Sequence, residues 1–354
     1  MEKPPSRRLV LALIAGSTLL ALAALEFLVR FLPDAQTMLV EPSSIPGVGY
    51  QLVPDMTACS MHGRFHINKW GFRGPEYPME KPPGTFRLLA LGDSVLYGDS
   101  AKENDVTQSL GRLLDAAPPK GFERVQSINT SVPSYSTCQE LALLNGLADK
   151  FSPDLVLVGY VMNDPEGARV PFGLDIATGR IAWRYRAYHF VKQRLYLVKY
   201  VVAKLSPLVF RLRGGFKQFG PAQNPGRTED YTMAIHDPQG PFWPACARCI
   251  EGLGEYQRKT GTPVLFAIFP LLKSMDFKPL EDAYRQVERT ARAAGLETVN
   301  LYPEFAKLTP AELSELAGDG VHPSEKGHLF IAQALQRRLA ARPAMMTGRG
   351  RYKP

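Results

Sequence analysis

The sequence predicts an α/β fold: a parallel five-stranded sheet covered by helices on both faces, set behind an N-terminal transmembrane helix. Three observations predict it. A long uncharged stretch opens the chain, short continuous apolar runs then alternate with helix-length amphipathic stretches, and polar residues of the nucleophilic and basic types fall just after those apolar runs. Continuous apolar strands separated by helices imply a parallel sheet buried on both sides, whose chemistry belongs at the carboxyl ends of its strands.

The elements are taken in chain order. MEKPPSRR is followed by LVLALIAGSTLLALAALEFLV, in which residues 9–25 carry no charge and the apolar run continues past Glu26 to Val29. At about 1.5 Å rise per residue this run spans roughly 26–31 Å, the thickness of a bilayer's hydrocarbon core. Lys3, Arg7 and Arg8 precede it, so residues 1–32 read as a cytoplasmic N-terminus plus anchor, with the body extracytoplasmic. The alternative is a cleaved signal sequence with its processing site near Ala21-Leu22-Ala23. Either way the body faces an oxidising compartment. Residues 33–84 are a Pro- and Gly-rich lead-in with little helical period, expected to be irregular.

Strands are expected at 86–91, 125–129, 155–161, 264–270 and 297–301. They alternate with helices at 105–116, 137–150, 245–260, 279–294 and 324–339. One domain thus occupies 85–341, with a basic insert at about 165–243 and a tail at 342–354. The formal charge of +8 is concentrated in that insert. Residues 176–228 hold eleven Lys and Arg and no Asp or Glu, and the remainder of the chain is slightly acidic. Within 183–213, apolar Phe190, Leu195, Leu197, Val198, Val201 and Val202 recur near helical spacing with Lys192, Arg194, Lys199 and Lys204 interleaved. This suits an anionic membrane surface, or an ordinary side helix with a solvated basic face. An exported body argues against a nucleic-acid partner.

Two Gly-Asp-Ser tripeptides compete in LLALGDSVLYGDS. Ser94 follows a predicted strand, whereas Gly98-Asp99-Ser100 follows only Val95-Leu96-Tyr97, too short to be another strand. Ser94 is therefore the candidate nucleophile. A serine hydroxyl needs a base, a group that orients the base, and donors for a developing oxyanion. In AGDGVHPSEKG, Asp319 and His322 lie in a short turn before the last helix, with Pro323 expected as its first residue and Glu325 in its first turn. GYVMND places Asn163 and Asp164 at a strand's carboxyl end, where a buried side-chain amide can donate to an oxyanion. The small residues of NTSVPSYS allow a backbone N–H to approach a ligand closely. His62, His66, His189, His236 and His328 offer less by position. Cys246-Ala-Arg-Cys249 admits a local disulfide or inert thiols, pairing with Cys59 or Cys138, or redox or metal chemistry. No metal or cofactor is assigned.

Strand–GDS, N-x-S-x-x-S, G-x-x-x-ND and D-x-x-HP thus stand in order across about residues 66–340, and this pattern resembles the SGNH hydrolase superfamily, the GDSL-type esterases. The NKWGFRG lead-in is similar to that of membrane-anchored bacterial members. The resemblance implies a flavodoxin-like three-layer α/β/α domain and metal-free hydrolysis or transfer of an acyl ester on a glycan or lipid. It further implies Ser94 as nucleophile, His322 as general base and then acid, and Asp319 as the group holding the imidazole. The oxyanion donors would be the N–H of Ser94, the N–H of Ser134 and the amide of Asn163. Ser134 stands where the family usually has glycine, and Gly159 stands four before Asn163 where many members have two. The non-enzymatic alternative is an inactive domain of this type, acting as a binding or assembly partner in envelope polysaccharide modification.

Overall fold

The computed structural model describes residues 6–31, 40–60, 63–98, 104–167, 228–318, 321–350 and 352, together with scattered positions between 174 and 201. Most of the basic insert, including Phe190, Lys192, Arg194, Lys199, Val202 and Lys204, lies outside the described residues.

Helix α1 (Arg7–Val29) is followed by two short antiparallel pairs, β1 (Val40–Pro42) with β2 (Tyr50–Leu52) and β3 (Met56–Ser60) with β4 (Gly63–Ile67). The lead-in is thus more ordered than its composition suggests. Asn68 explains part of this, because its side-chain oxygen accepts from the N–H groups of Trp70 and Phe72, both at 3.0 Å, and its amide donates to Pro75 O at 2.9 Å. The Trp70 indole closes the same loop by donating to Tyr77 O at 2.9 Å.

The domain proper then runs β5 (Thr85–Gly92), α2 (Ser94–Tyr97), α3 (Val106–Asp115), β6 (Arg124–Asn129), α4 (Thr137–Phe151) and β7 (Leu155–Tyr160). After the small pair β8 (Leu174–Asp175) and β9 (Arg180–Ile181) come α5 (Thr228–Ile235), α6 (Trp243–Thr260), β10 (Val264–Ile268), α7 (Leu280–Ala293) and β11 (Glu297–Asn300). Short α8 (Tyr302–Phe305) and α9 (Pro310–Leu316) lead to α10 (Glu325–Ala340). All five predicted strands and all five predicted helices form, within two residues of their expected ends.

The five strands are parallel, in the order β11-β10-β7-β5-β6. Numbered by appearance in the sheet this is the flavodoxin order 2-1-3-4-5, whose direction of winding reverses between β5 and β7. Side-chain alternation divides the core into two layers. Leu89, Leu91, Val156, Val158, Phe266 and Ile268 pack toward Leu144 of α4, Ile250 of α6 and Val287 of α7. Phe86, Leu88, Ala90, Leu157 and Ala267 pack toward Leu110 of α3 and Ile331 and Leu335 of α10. Each fully buried aliphatic side chain contributes about 1.5–3 kcal/mol relative to exposure.

Helix starts are set locally. Asp105 caps α3 by accepting from Gln108 N–H at 2.9 Å, and Ser136 with Gln139 forms a capping box on α4. Arg87, buried in the middle of β5, is held by three carbonyls: Phe151 O at 2.7 Å, Met79 O at 2.9 Å and Pro78 O at 3.0 Å. It ties the lead-in and the end of α4 to the sheet.

Cysteine pairing follows the longer-range of the alternatives. Cys138, in the first turn of α4, is bonded to Cys249 of α6 across 111 residues, and Cys246 is a buried free thiol. The bridge joins two helices on the same face of the sheet, where their α4–α6 packing already brings them together.

Beside Tyr160, at the carboxyl end of β7, the first layer buries His236. Its Nδ1–H donates to Thr232 O at 2.7 Å and its Nε2 accepts from Tyr160 Oη–H at 2.8 Å. Burial holds its pKa down at about 4. The unfolded chain therefore takes up a proton at this residue below about pH 6.5, whereas the folded protein does so only near pH 4, so this group's contribution to stability is lost as pH falls from 6.5 to 4. Urea unfolding of wild type and His236→Gln checks this: the wild-type advantage shrinks by roughly 2 kcal/mol between pH 7.5 and pH 5. An advantage independent of pH contradicts it.

Candidate active site

Strand β5 ends at Gly92, and Asp93 turns the chain into α2. The Asp93 carboxylate accepts from Val95 N–H at 2.9 Å, so Ser94 becomes the first helical residue and its hydroxyl stays half-buried at the carboxyl rim of the sheet. Two glycines let α2 lie flat there. Gly92 and Gly159 are register partners on β5 and β7, and a Cβ at either would meet Leu96 within 2.8 Å or 2.4 Å respectively. The four-residue spacing from Gly159 to Asn163 follows, since β7 continues to Tyr160 before the chain turns.

Helix α2 ends at Gly98, whose φ of +79° is the left-handed conformation that closes the helix. Gly98 therefore serves as a cap, and Asp99 and Ser100 of the second tripeptide lie outside the described residues. Arg73, from the GFRG lead-in, donates to Tyr97 O at 2.7 Å and Gly98 O at 2.5 Å and stacks 3.8 Å over the Phe65 ring. The lead-in thus holds the far end of the helix that carries Ser94.

His322 arrives from the turn between α9 and α10. Gly318 N–H donates to His322 O at 2.8 Å, Ser324 N–H donates to Leu316 O at 2.7 Å, and Pro323 bridges to Ala317. Ser324, not Pro323, opens the final helix: its hydroxyl accepts from Gly327 N–H at 3.2 Å and caps α10. Pro323 cannot donate, and it sits one residue before the cap. The His322 Nε2 lies 2.9 Å from Ser94 Oγ, joining residues 228 apart in sequence. In the tautomer with Nε2 unprotonated, that nitrogen accepts the Ser94 proton. Asp319 lies outside the described residues.

Asn163 is exposed at the end of β7, with its amide nitrogen 3.5 Å from the second Asp93 oxygen. The expectation of a buried amide is thus corrected: this side chain faces the open rim, one strand over from Ser94. On the other flank, β6 leads to the turn that carries Ser134. Val132 N–H donates to Gly92 O at 3.1 Å, which docks that turn against the strand end preceding Ser94. Ser134 is exposed and has a φ of +67°. It adopts the conformation that glycine would take without strain, so the departure from glycine leaves the backbone path intact.

Beneath the rim lies a cluster that sequence reading did not single out. Asp93, Asp164 and Glu140 are all buried. Asp164 accepts from Thr137 Oγ–H at 2.6 Å, and both Glu140 oxygens are without a hydrogen-bond partner. Burial raises the pKa of each, and the neighbouring carboxyl charges raise Asp164 and Glu140 further, well above the usual carboxylate range. The shifts favour the uncharged acids beneath the rim. The local signals were slight: Asp93 and Asp164 adjoin Ser94 and Asn163, but their burial is written only in the fold.

The other described histidines have settings of their own. His236 is engaged with Tyr160 and Thr232, His66 lies 3.5 Å from Glu76, and His328 is buried inside α10, its pKa held at about 3 by burial. His62 and His189 lie outside the described residues. Among the described residues, no group of three or more His, Cys, Asp or Glu is arranged to hold a metal ion.

No known family model matches the chain, and no curated protein does. Solved structures do. The acetylxylan esterase Axe2 from Geobacillus stearothermophilus is 15% identical over 72% of this chain and 94% of its own, with a TM-score of 0.42. TesA is also 15% identical, over 72% of this chain and 98% of its own, with a TM-score of 0.42. A lipase/acylhydrolase from Enterococcus faecalis is 13% identical over 73% and 96%, with a TM-score of 0.40.

The packing of α2 makes one position testable. Gly159→Ala places a methyl against Leu96 and Phe269 in a filled core. It should cost about 1–3 kcal/mol, read as a fall in the thermal unfolding midpoint of a few degrees. An unchanged midpoint would show that α2 is not seated on the strand ends as described.

Proposed function

We propose that this protein is an extracytoplasmic, membrane-tethered serine esterase that hydrolyses or transfers small acyl groups through an acyl-serine intermediate at Ser94. The observation that carries this reading is the 2.9 Å contact between Ser94 Oγ and His322 Nε2 at the carboxyl edge of a parallel sheet, beside the point where its winding reverses. A nucleophile and a base within hydrogen-bond reach are what acyl transfer to serine requires.

In this reading His322 Nε2 takes the Ser94 proton as Oγ bonds to the acyl carbonyl carbon. The carbonyl oxygen becomes an oxyanion, which the N–H groups of Ser94 and Ser134 and the amide of Asn163 receive. Collapse breaks the bond to the alcohol, and His322 returns its proton to the leaving oxygen. A second hydroxyl, from water or from a sugar, then attacks the acyl-serine, with His322 again accepting the proton, and Ser94 is regenerated. Water gives hydrolysis, and a sugar hydroxyl gives transfer. Asp319, two residues before the described Val321, is assigned to orient His322. The substrate class is a small acyl ester on a glycan or lipid of the envelope.

Membrane tethering is supported by α1, which is long and apolar enough to cross a bilayer. The insert also meets this helix: Glu26 accepts from the N–H groups of Tyr196 at 2.9 Å and Leu197 at 2.8 Å, and Arg30 lies 5.2 Å over the Tyr196 ring. Trp183, Val191, Leu195 and Val201 are exposed nearby in sequence. Aromatic and aliphatic side chains next to the outer end of an anchor suit the bilayer interface.

Hydrolysis of p-nitrophenyl acetate by washed membranes tests the reading. Activity should stay with the membranes through an alkaline wash and become soluble when residues 1–31 are removed. Ser94→Ala and His322→Asn should each lose at least about 10³-fold in kcat/KM, and Asn163→Ala about 10²-fold. Equal turnover in Ser94→Ala and wild type would sink the enzymatic reading and leave the binding-partner alternative.

A further inference from the structure

The turn carrying Ser134 is held from outside the domain. Val132, Pro133, Ser134 and Tyr135 form a turn closed by Tyr135 N–H donating to Val132 O at 3.1 Å. Proline fixes the second residue at negative φ, and Ser134 at the third has a φ of +67°. That combination is a type II turn, whose third position ordinarily calls for glycine. Pro-Ser is suited to the type I turn instead, in which the third residue has negative φ. The two differ by a flip of the central peptide, the unit made of Pro133 C=O and Ser134 N–H. Something must therefore hold this peptide in the type II orientation.

The lead-in supplies it. Tyr50 of β2 donates its phenol hydrogen to Pro133 O at 2.8 Å across 83 residues of sequence. In return the Tyr135 hydroxyl donates to Tyr50 O, and the two rings pack edge to face with centroids 5.2 Å apart. Tyr50 is 3% exposed, and its burial beside Asp93 raises the phenol's pKa, so the hydroxyl remains a donor at all ordinary pH.

We infer that Tyr50 is a positioning residue for the oxyanion site: by gripping Pro133 C=O it locks the Val132–Tyr135 turn as type II and keeps Ser134 N–H aimed to the opposite side, toward the acyl oxygen. This deepens the esterase reading and rests on it. It gives the lead-in a part in the chemistry, because a peptide whose carbonyl is already hydrogen-bonded is also the better donor through its N–H. Glycine at 134 would favour the type II turn unaided and make the phenol dispensable.

The test is a double-mutant cycle on full-length protein in detergent, with Tyr50→Phe, Ser134→Gly and the pair, assayed on p-nitrophenyl acetate. Tyr50→Phe keeps the ring and should unfold within a few degrees of wild type. It should lose roughly 10- to 100-fold in kcat with KM within about twofold, since the lost interaction is made in the transition state. In the Ser134→Gly background the same substitution should cost less than about threefold, a rescue that a general packing role of Tyr50 does not produce. A Tyr50→Phe enzyme within twofold of wild type, or an equal loss in both backgrounds, overturns the inference and leaves the esterase assignment standing. Wild-type protein without turnover overturns the esterase assignment and this inference with it.

Discussion

The close seating of one helical turn against two strand ends governs the rest of this structure. Ser94 can face the rim only because α2 lies across β5 and β7 where they diverge, and it lies there only because Gly92 and Gly159 face each other in register with no Cβ between them and Leu96. At the preceding register pair of the same two strands, Leu91 and Val158 present large side chains that already fill the core. The reversal of strand winding at the same place leaves a crevice between the loops that follow β5 and β7. Steric permission and topology therefore coincide at one point, and Asp93, Ser94 and Asn163 are delivered there together.

What surrounds this point is bracing from distant parts of the chain. Arg73 grips the carbonyls at the end of α2, Tyr50 grips the turn before α4, and the Cys138–Cys249 bridge fastens the start of α4 to α6. Two of these three come from the lead-in, which by composition looks like connecting chain. Through these two residues the lead-in braces the rim. Beneath, burial, with mutual repulsion at Asp164 and Glu140, shifts the Asp93–Asp164–Glu140 cluster toward its uncharged acids.

The sheet and its helices were legible because each rests on a local pattern. Runs such as LLAL and VLFAI announce buried parallel strands, and the helix-length amphipathic stretches between them announce the helices. Ser94 and His322 were legible by position relative to those elements, and the structure brings them into contact. Asn163 was placed at the correct strand end with the wrong exposure, since exposure depends on the loops around it. Pro323 was read two residues too far into α10, because Ser324 is an equally good local start and the Ala317 bridge that decides between them is not a local feature. Tyr50, Thr137, Glu140 and the cysteine pairing could not be read at all. Each depends on a partner 27 to 111 residues away or on burial, and neither leaves a mark in the neighbouring sequence.

The account stands or falls on whether the Ser94 hydroxyl is activated by the imidazole beside it. Treatment of full-length protein with a fluorophosphonate, followed by intact-mass measurement and peptide mapping, reads this directly. The account predicts one adduct per chain, carried by Ser94, and its slowing by orders of magnitude in His322→Asn. A stoichiometric adduct on Ser100 or Ser134, or labelling of Ser94 that is indifferent to the loss of His322, would contradict it.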